Sequence, residues 1–480
     1  MRLSRLVALA TFSAALAGPA QAQGFGQRFD LPLPLWLYIS GAGLTVALSF
    51  LILALAPAAR RPVPVITLLP TSLAGGSFFR SLLLLFRLLA LALYLLVILA
   101  GLIGPQNPVK NLAPPLIWGL WWVGMIYVSA FVGDLWALLN PLASLFRWFE
   151  RAFSSSTGRP FAPPLSYPVW LGVWPAAALL MLFSWIELNW PGAEVPASLA
   201  TLMLAYSALS WLGMALFGRA VWLQHGELFS VLFALFARFA PLHGGSNAAE
   251  PQLCLRPPGE GLLVTQPLVF SKVVLVMMML ATVSFDGLME TEFWLNLNSG
   301  LAAQVSGAAD QNIGRINTAA LILAPLLFLA AFLACCRLMR WVTGSSAVDR
   351  STVEHAGLFA LTLVPIAIAY HLAHYLSFLG SVVQYLIPLA SDPLGLGWDL
   401  FGTRLHFIRV GIVDAKLVWY VSLASIVLGH VAAVYLAHRI SYQIFTQRRD
   451  ALLSQIPMLC LMIGYTMLSL WILAQPIVVM

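Results

Sequence analysis

Ten apolar stretches divide the chain. They lie at 34–56, 82–104, 115–137, 168–188, 197–217, 268–286, 317–338, 356–379, 416–438 and 454–476. Each is long enough to cross about 30 Å of hydrocarbon as a helix rising about 1.5 Å per residue. The pattern predicts an all-α polytopic membrane protein of about ten transmembrane helices. Two connections interleave apolar residues with charged ones: 145–153, with Arg147, Glu150 and Arg151, and 221–242, with Gln224, His225, Glu227 and Arg238. Both read as helices lying along the membrane surface. Residues 243–267, with Pro257-Pro258-Gly259 in the middle, are expected to form a polar cytoplasmic loop. The large outer connections are 287–316 and 380–415. The second carries a turn-rich stretch from Ser391 to Asp399, suited to capping a cavity. No internal repeat is visible, so the inverted-repeat signature of many transporters is missing.

Composition agrees. The chain is 61% apolar and 9% charged over 480 residues, with mean hydropathy +0.89, where a soluble domain carries roughly 25% charged residues. The net charge of +7 does not point to nucleic acid, because a membrane chain uses its basic residues to set topology. Residues 1–22 read as a signal peptide: Arg2 and Arg5, an apolar run from Leu6 to Ala17, then Ala20-Gln21-Ala22 before a mature start at Gln23. An uncleaved first helix is the alternative. Residues 23–480 then form a single transmembrane domain. With the mature N-terminus outside, sixteen of the 25 basic residues fall at inside connections and six at outside ones. This bias follows the positive-inside rule and puts both mature termini in the periplasm. A bacterial inner membrane is the simplest host. The four cysteines show no zinc-module spacing, and Cys335 and Cys336 read as packing residues.

The candidate chemistry centres on Ala369-Tyr370-His371-Leu372-Ala373-His374-Tyr375-Leu376. His371 and His374 are separated by about 4.5 Å of helix rise and share one face. Ionisable groups at membrane depth are costly and commonly functional. His430, in the next span, is a candidate third nitrogen ligand. Helix rise puts it about 9 Å deeper than His371. A kink at Pro365 is one way to close that gap. Asp286, in Ser284-Phe285-Asp286-Gly287, is a candidate carboxylate ligand at the outer end of the sixth span. His371, His374, His430 and Asp286 are thus the candidate catalytic and metal-binding residues. The ion expected is divalent, zinc or copper, since an all-histidine site suits both. Such an ion lowers the pKa of water and polarises a bound oxygen. The other reading is that each histidine bonds a neighbouring helix. A second polar group, Asp134, Asn140, His225, Glu227 and His438, gathers at the inner face. It reads either as a second site or polar path, or as helix caps and loop docking. No HExxH, P-loop, GxSxG or dinucleotide motif is present.

Several of these segments resemble a known family. The run from Asp30 to Tyr38, Gly226 to Leu232, Ser284 to Gly287, the His371 run, Ser391-Asp392-Pro393 leading to Gly397–Thr403, and Gly429 to His438 are similar to the integral-membrane proteins called fenitrothion hydrolase. The likeness spans nearly the whole mature chain. It implies hydrolysis of a lipophilic organophosphorus triester, releasing a nitrophenol and a dialkyl thiophosphate. It also implies a related second membrane subunit. It carries over no catalytic residue. Two other classes stay open: a transporter or metal-handling protein using the intramembrane histidines as transient ligands, and an assembly subunit whose polar residues hold a partner.

Overall fold

A computed structural model describes residues 29–55, 66–69, 76–244, 253–344, 350–409 and 413–475. The signal peptide, the start at Gln23 and the basic residues Arg28, Arg60 and Arg61 lie outside the described residues. The chain is an all-α polytopic membrane protein. Among the described residues nine helices are long and apolar enough to cross a membrane, or up to eleven if each of two bent pairs counts as a span.

Helices α1 (Leu35–Leu55) and α2 (Ser77–Ile103) coincide with the first two predicted spans. The third, expected as one helix over 115–137, is a pair bent by 114°. A π-helical segment (Pro115–Val123) runs into α3 (Gly124–Phe131), and then α4 (Leu135–Leu139) and α5 (Pro141–Thr157) turn away. Two caps account for the bend. Asp134 Oδ1 accepts the Ala137 N–H at 2.9 Å, and Asn140 Oδ1 accepts the Ala143 N–H at 3.1 Å. Each starts a new helix, and Pro141 suits the first position of α5. The surface helix expected at 145–153 is part of α5, which buries Leu142, Ala143 and Phe146 and leaves Arg151 exposed.

After α6 (Trp174–Asn189) and α7 (Pro196–Phe217), the structure departs from expectation. Residues 221–242 do not form one surface helix. They break into α8 (Arg219–His225) and α9 (Leu228–Ala237), bent by 66°. α9 reads Leu-Phe-Ser-Val-Leu-Phe-Ala-Leu-Phe-Ala and has no polar face, so it is drawn into the protein; Phe233 and Phe236 are fully buried. Buried helix ends need partners. At the N-terminus Glu227 accepts the N–H groups of Phe229 (3.2 Å) and Ser230 (2.7 Å) and the hydroxyl of Tyr206. At the C-terminus Arg256 donates to the carbonyls of Ala237 (2.9 Å), Arg238 (3.0 Å) and Ala240 (3.1 Å). Arg256→Ala strips these carbonyls of their donor and should cost about 1–3 kcal/mol. Thermal unfolding in detergent checks this; an unchanged midpoint removes the cap from the account.

The polar loop carries a small antiparallel sheet that hydropathy gives no sign of. β1 (Ile66–Leu69), β2 (Leu242–Gly244) and β3 (Leu253–Leu255) pair in the order β1-β3-β2. The remaining helices are α10 (Phe270–Met289), α11 (Glu292–Ala302), α12 (Ala309–Thr343), α13 (Thr352–Phe359), α14 (Val364–Ser391), α15 (Ala415–Ile444) and α16 (Arg448–Ala474). The expected outer connections are therefore partly helical, holding α11, the start of α12 and the end of α14.

The α13–α14 span is the centre of the bundle. In its most apolar window 94% of residues are buried, against 11% for α2. Pro365 does not kink α14. A 3₁₀ turn (Ala360–Leu363) precedes it, and Pro365 sits in its first turn, where a proline costs no hydrogen bond. α15 packs closely here: a Cβ on Gly429 would stand 2.8 Å from the Pro365 carbonyl oxygen. The Ser422 hydroxyl donates to the Ala373 carbonyl at 3.1 Å, tying the same two helices.

Candidate metal centre

Asp286 stands in the last turn of α10, and Glu290 follows directly after the helix. Four residues apart, they face the same way. His374 projects from α14. One ligand atom of each of these three residues lies within 4.8 Å of the other two. Asp286 Oδ2 accepts from His374 Nε2 at 2.8 Å and from the Tyr375 hydroxyl at 2.6 Å. The Asp286 and His374 side chains are 12% and 3% exposed, so this contact is nearly dry. Gly287 makes room for it, since a Cβ there would stand 2.7 Å from the Tyr370 hydroxyl and 3.6 Å from His374 Nδ1.

Glu290 Oε1 is shielded from solvent and receives no hydrogen bond from the described residues. An unmatched carboxylate oxygen in an apolar interior is costly, and a cation satisfies it. Two carboxylates and one imidazole are a donor set that divalent ions accept. These residues fit a metal.

Glu187 reaches the same region from α6, and its Oε1 accepts the Trp122 indole N–H at 2.8 Å. Glu187, Asp286, His371, Tyr375 and Trp122 line a cavity of about 30 Å³.

The four residues expected to form the site do not converge as a set. Asp286 and His374 meet. His371 is not in the ligand group. Its ring sits among Trp122 (5.9 Å between centroids), Tyr127 (5.7 Å) and Tyr375 (4.6 Å), and neither ring nitrogen has a hydrogen-bond partner among the described residues. A three-residue step turns side chains about 60° apart on the helix, and the Tyr375 ring lies 4.6 Å from each imidazole. His430 is also outside the group. Its Nδ1 pairs with the Ile426 carbonyl at 2.8 Å in its own helix, and its ring lies 5.7 Å from that of Tyr465. With α14 unkinked at Pro365, the depth offset of His430 stays open.

Glu290 and Glu187 were not anticipated. The i,i+4 spacing from Asp286 was a legible signal for Glu290, masked by ending the span at 286. Glu187 at a span end was visible as a lone carboxylate, but its neighbours come from distant segments.

The inner polar group resolves mostly into structure. Asp134, Asn140 and Glu227 are helix caps, His225 Nδ1 pairs with the Val221 carbonyl at 3.0 Å, and His438 Nδ1 donates to Gln455 Oε1 at 3.0 Å, joining α15 to α16. No family model, curated protein or solved structure matches the chain.

Proposed function

We propose that the chain is an intramembrane metal-dependent hydrolase of lipophilic organophosphorus triesters, set in a bacterial inner membrane. The observation that carries this reading is the convergence of Asp286, Glu290 and His374 within 4.8 Å in the bundle interior. The substrate class rests on the resemblance to the fenitrothion hydrolase family. With two carboxylates in the set, the case for copper weakens and zinc is favoured. A divalent ion held there supplies Lewis acidity for a phosphoryl or thiophosphoryl group. The chain's own groups do the rest. Tyr375 and His374 hold Asp286 in place through its Oδ2. Glu187, fixed by Trp122, faces the cavity and takes the proton from the water that attacks phosphorus, while the P–O bond to the nitrophenolate breaks. A cavity of about 30 Å³ is far below the size of a triester, since organic ligand pockets begin at roughly 300 Å³. Substrate must therefore open the lining to reach the carboxylates.

The test uses purified protein in detergent. Bound metal is counted, and nitrophenol release from fenitrothion is measured before and after chelation and in Glu290→Gln. The expected result is metal and turnover in the wild type, both restored after chelation by added zinc and both lost in the variant. Turnover that persists with the metal fully removed overturns the reading. Metal without turnover calls for co-expression with a related second membrane subunit.

The small cavity favours a second reading, transport or handling of the ion itself. A row of polar rings leads away from His374: Tyr370 at 6.4 Å, then Tyr465 at 6.5 Å, then His430 at 5.7 Å. The Tyr370 hydroxyl and His430 Nε2 are buried without partners. This reading expects His430→Ala to lose metal uptake by cells while any purified turnover is unchanged.

A further inference from the structure

A second cavity, of about 500 Å³, lies on the other side of α9 from the metal centre. Leu232 and Phe236 of α9 line the small cavity, whereas Ser230, Val231 and Leu235 line the large one. Four cations line the large cavity, Arg147, Arg219, Arg238 and Lys272, against one carboxylate, Asp134. Asp134 Oδ1 accepts the Ala137 N–H as a helix cap. Arg219 is neutralised by Glu150 at 2.9 Å. Arg238 spends its Nε–H on the Gly261 carbonyl at 2.8 Å. Among the described residues Arg147 and Lys272 have no hydrogen-bond or ion-pair partner.

These cations also oppose one another. Lys272 stands close enough to Arg238, and Arg147 to Arg219, for their charges to repel. Half-buried like charges with too few carboxylates form a site of positive potential, and an anion entering it relieves the repulsion. Guanidinium groups suit phosphate through paired N–H donors, and an ammonium adds a point charge. Asn140, Gln224, His225 and Ser230 add polar groups to the lining, and Leu223, Leu268, Leu275 and Leu361 give it an apolar part. A soluble anion has no use for those leucines, whereas the first methylenes of an acyl chain do. The volume lies within the range of about 300–1,000 Å³ typical of organic ligands. The basic bias of the sequence assigns Arg147, Arg219 and Arg238 to the cytoplasmic side, where anionic lipid is concentrated.

We propose that this cavity binds the phosphate headgroup of an anionic phospholipid from the facing leaflet. Arg147 and Lys272 hold the phosphate, and the leucines hold the start of the chains. The site is separate from the metal centre and does not depend on it.

The experiment places purified full-length protein in phosphatidylcholine nanodiscs with a minor fraction of phosphatidylglycerol. Retained lipid is counted by native mass spectrometry. The wild type should keep phosphatidylglycerol selectively. Arg147→Gln with Lys272→Gln should weaken that retention by about a hundredfold or more, the loss of two charged hydrogen-bond donors. The charge-conserving pair Arg147→Lys with Lys272→Arg should hold the lipid, and so should Arg151→Gln, on the exposed side of α5. A neutralised variant that is folded by circular dichroism and retains the lipid like wild type overturns the proposal. So does equal retention of phosphatidylcholine. Inorganic phosphate that displaces phosphatidylglycerol at equal concentration assigns the cavity to a soluble anion and overturns the lipid assignment.

Discussion

Asp286→Asn should reduce metal affinity by about a hundredfold, and, on the proposed hydrolase reading, turnover should be lost alongside it. The charge of Asp286 is the main counterweight to a cation in this nearly dry interior, where no solvent replaces it. The carboxylate also organises its neighbours. Its Oδ2 receives both the His374 Nε2–H and the Tyr375 hydroxyl, at 2.8 and 2.6 Å. An asparagine carbonyl attracts both donors less strongly, and its amide adds protons that face His374. Leaving one buried group unpaired costs about 1–3 kcal/mol, so the variant should also unfold at lower temperature. The contrasting variant is His371→Ala. That imidazole has no hydrogen bond to lose and lies outside the ligand group. Its removal should leave the metal count unchanged while enlarging the small cavity. Metal counting on both variants decides the matter: if His371→Ala loses the ion as fully as Asp286→Asn, the ligand set is wrong.

Glu227→Ala should be the most destabilising single change away from the metal centre. Glu227 is fully buried, and its carboxylate serves the Phe229 and Ser230 N–H groups and the Tyr206 hydroxyl. Loss of an N-cap costs about 0.5–2 kcal/mol. The orphaned Tyr206 hydroxyl and N–H groups add about 1–3 kcal/mol. Together this is roughly 1.5–5 kcal/mol. Hydrogen exchange should show the effect locally, with the first amides of α9 losing protection ahead of α10 and α14. Glu227→Gln keeps one acceptor and should fall between the wild type and alanine. Exchange in α9 that matches wild type in the alanine variant would falsify the cap. Since α9 divides the two cavities, the same change should disturb both.

Much of the architecture was legible because the membrane imposes a simple rule. Backbone polar groups have no water to bond in hydrocarbon, so an apolar run of sufficient length must be a helix. Nine of the ten predicted spans fall on single long helices for that reason. The third failed as a single span because Asp134 and Asn140 each start a new helix, an event in one or two side chains that hydropathy averaging smooths away. The stretch around α9 departs from the single surface helix expected over 221–242, although Gln224, His225, Glu227 and Arg238 lie along it in the sequence. In the structure these residues border α9 or lie on α8, and α9 itself is apolar on every side.

The sequence by itself determined the class of protein and the positions of nine of the ten spans, and it named Asp286 and His374, with His371 and His430, as candidates. It did so because a charged or titratable group inside an apolar run stands out from its surroundings. The tertiary structure alone decided which of them meet which. Glu290 joins through a one-turn extension of α10, His371 is turned aside among three aromatic rings, and His430 pairs with the Ile426 carbonyl of its own helix. Depth and rotation about a helix axis are set by packing against neighbouring helices, and no local pattern encodes them. The cation-lined cavity behind α9 has the same origin: Arg147, Arg219, Arg238 and Lys272 lie on four separate segments, and only the fold of those segments around α9 makes them one site.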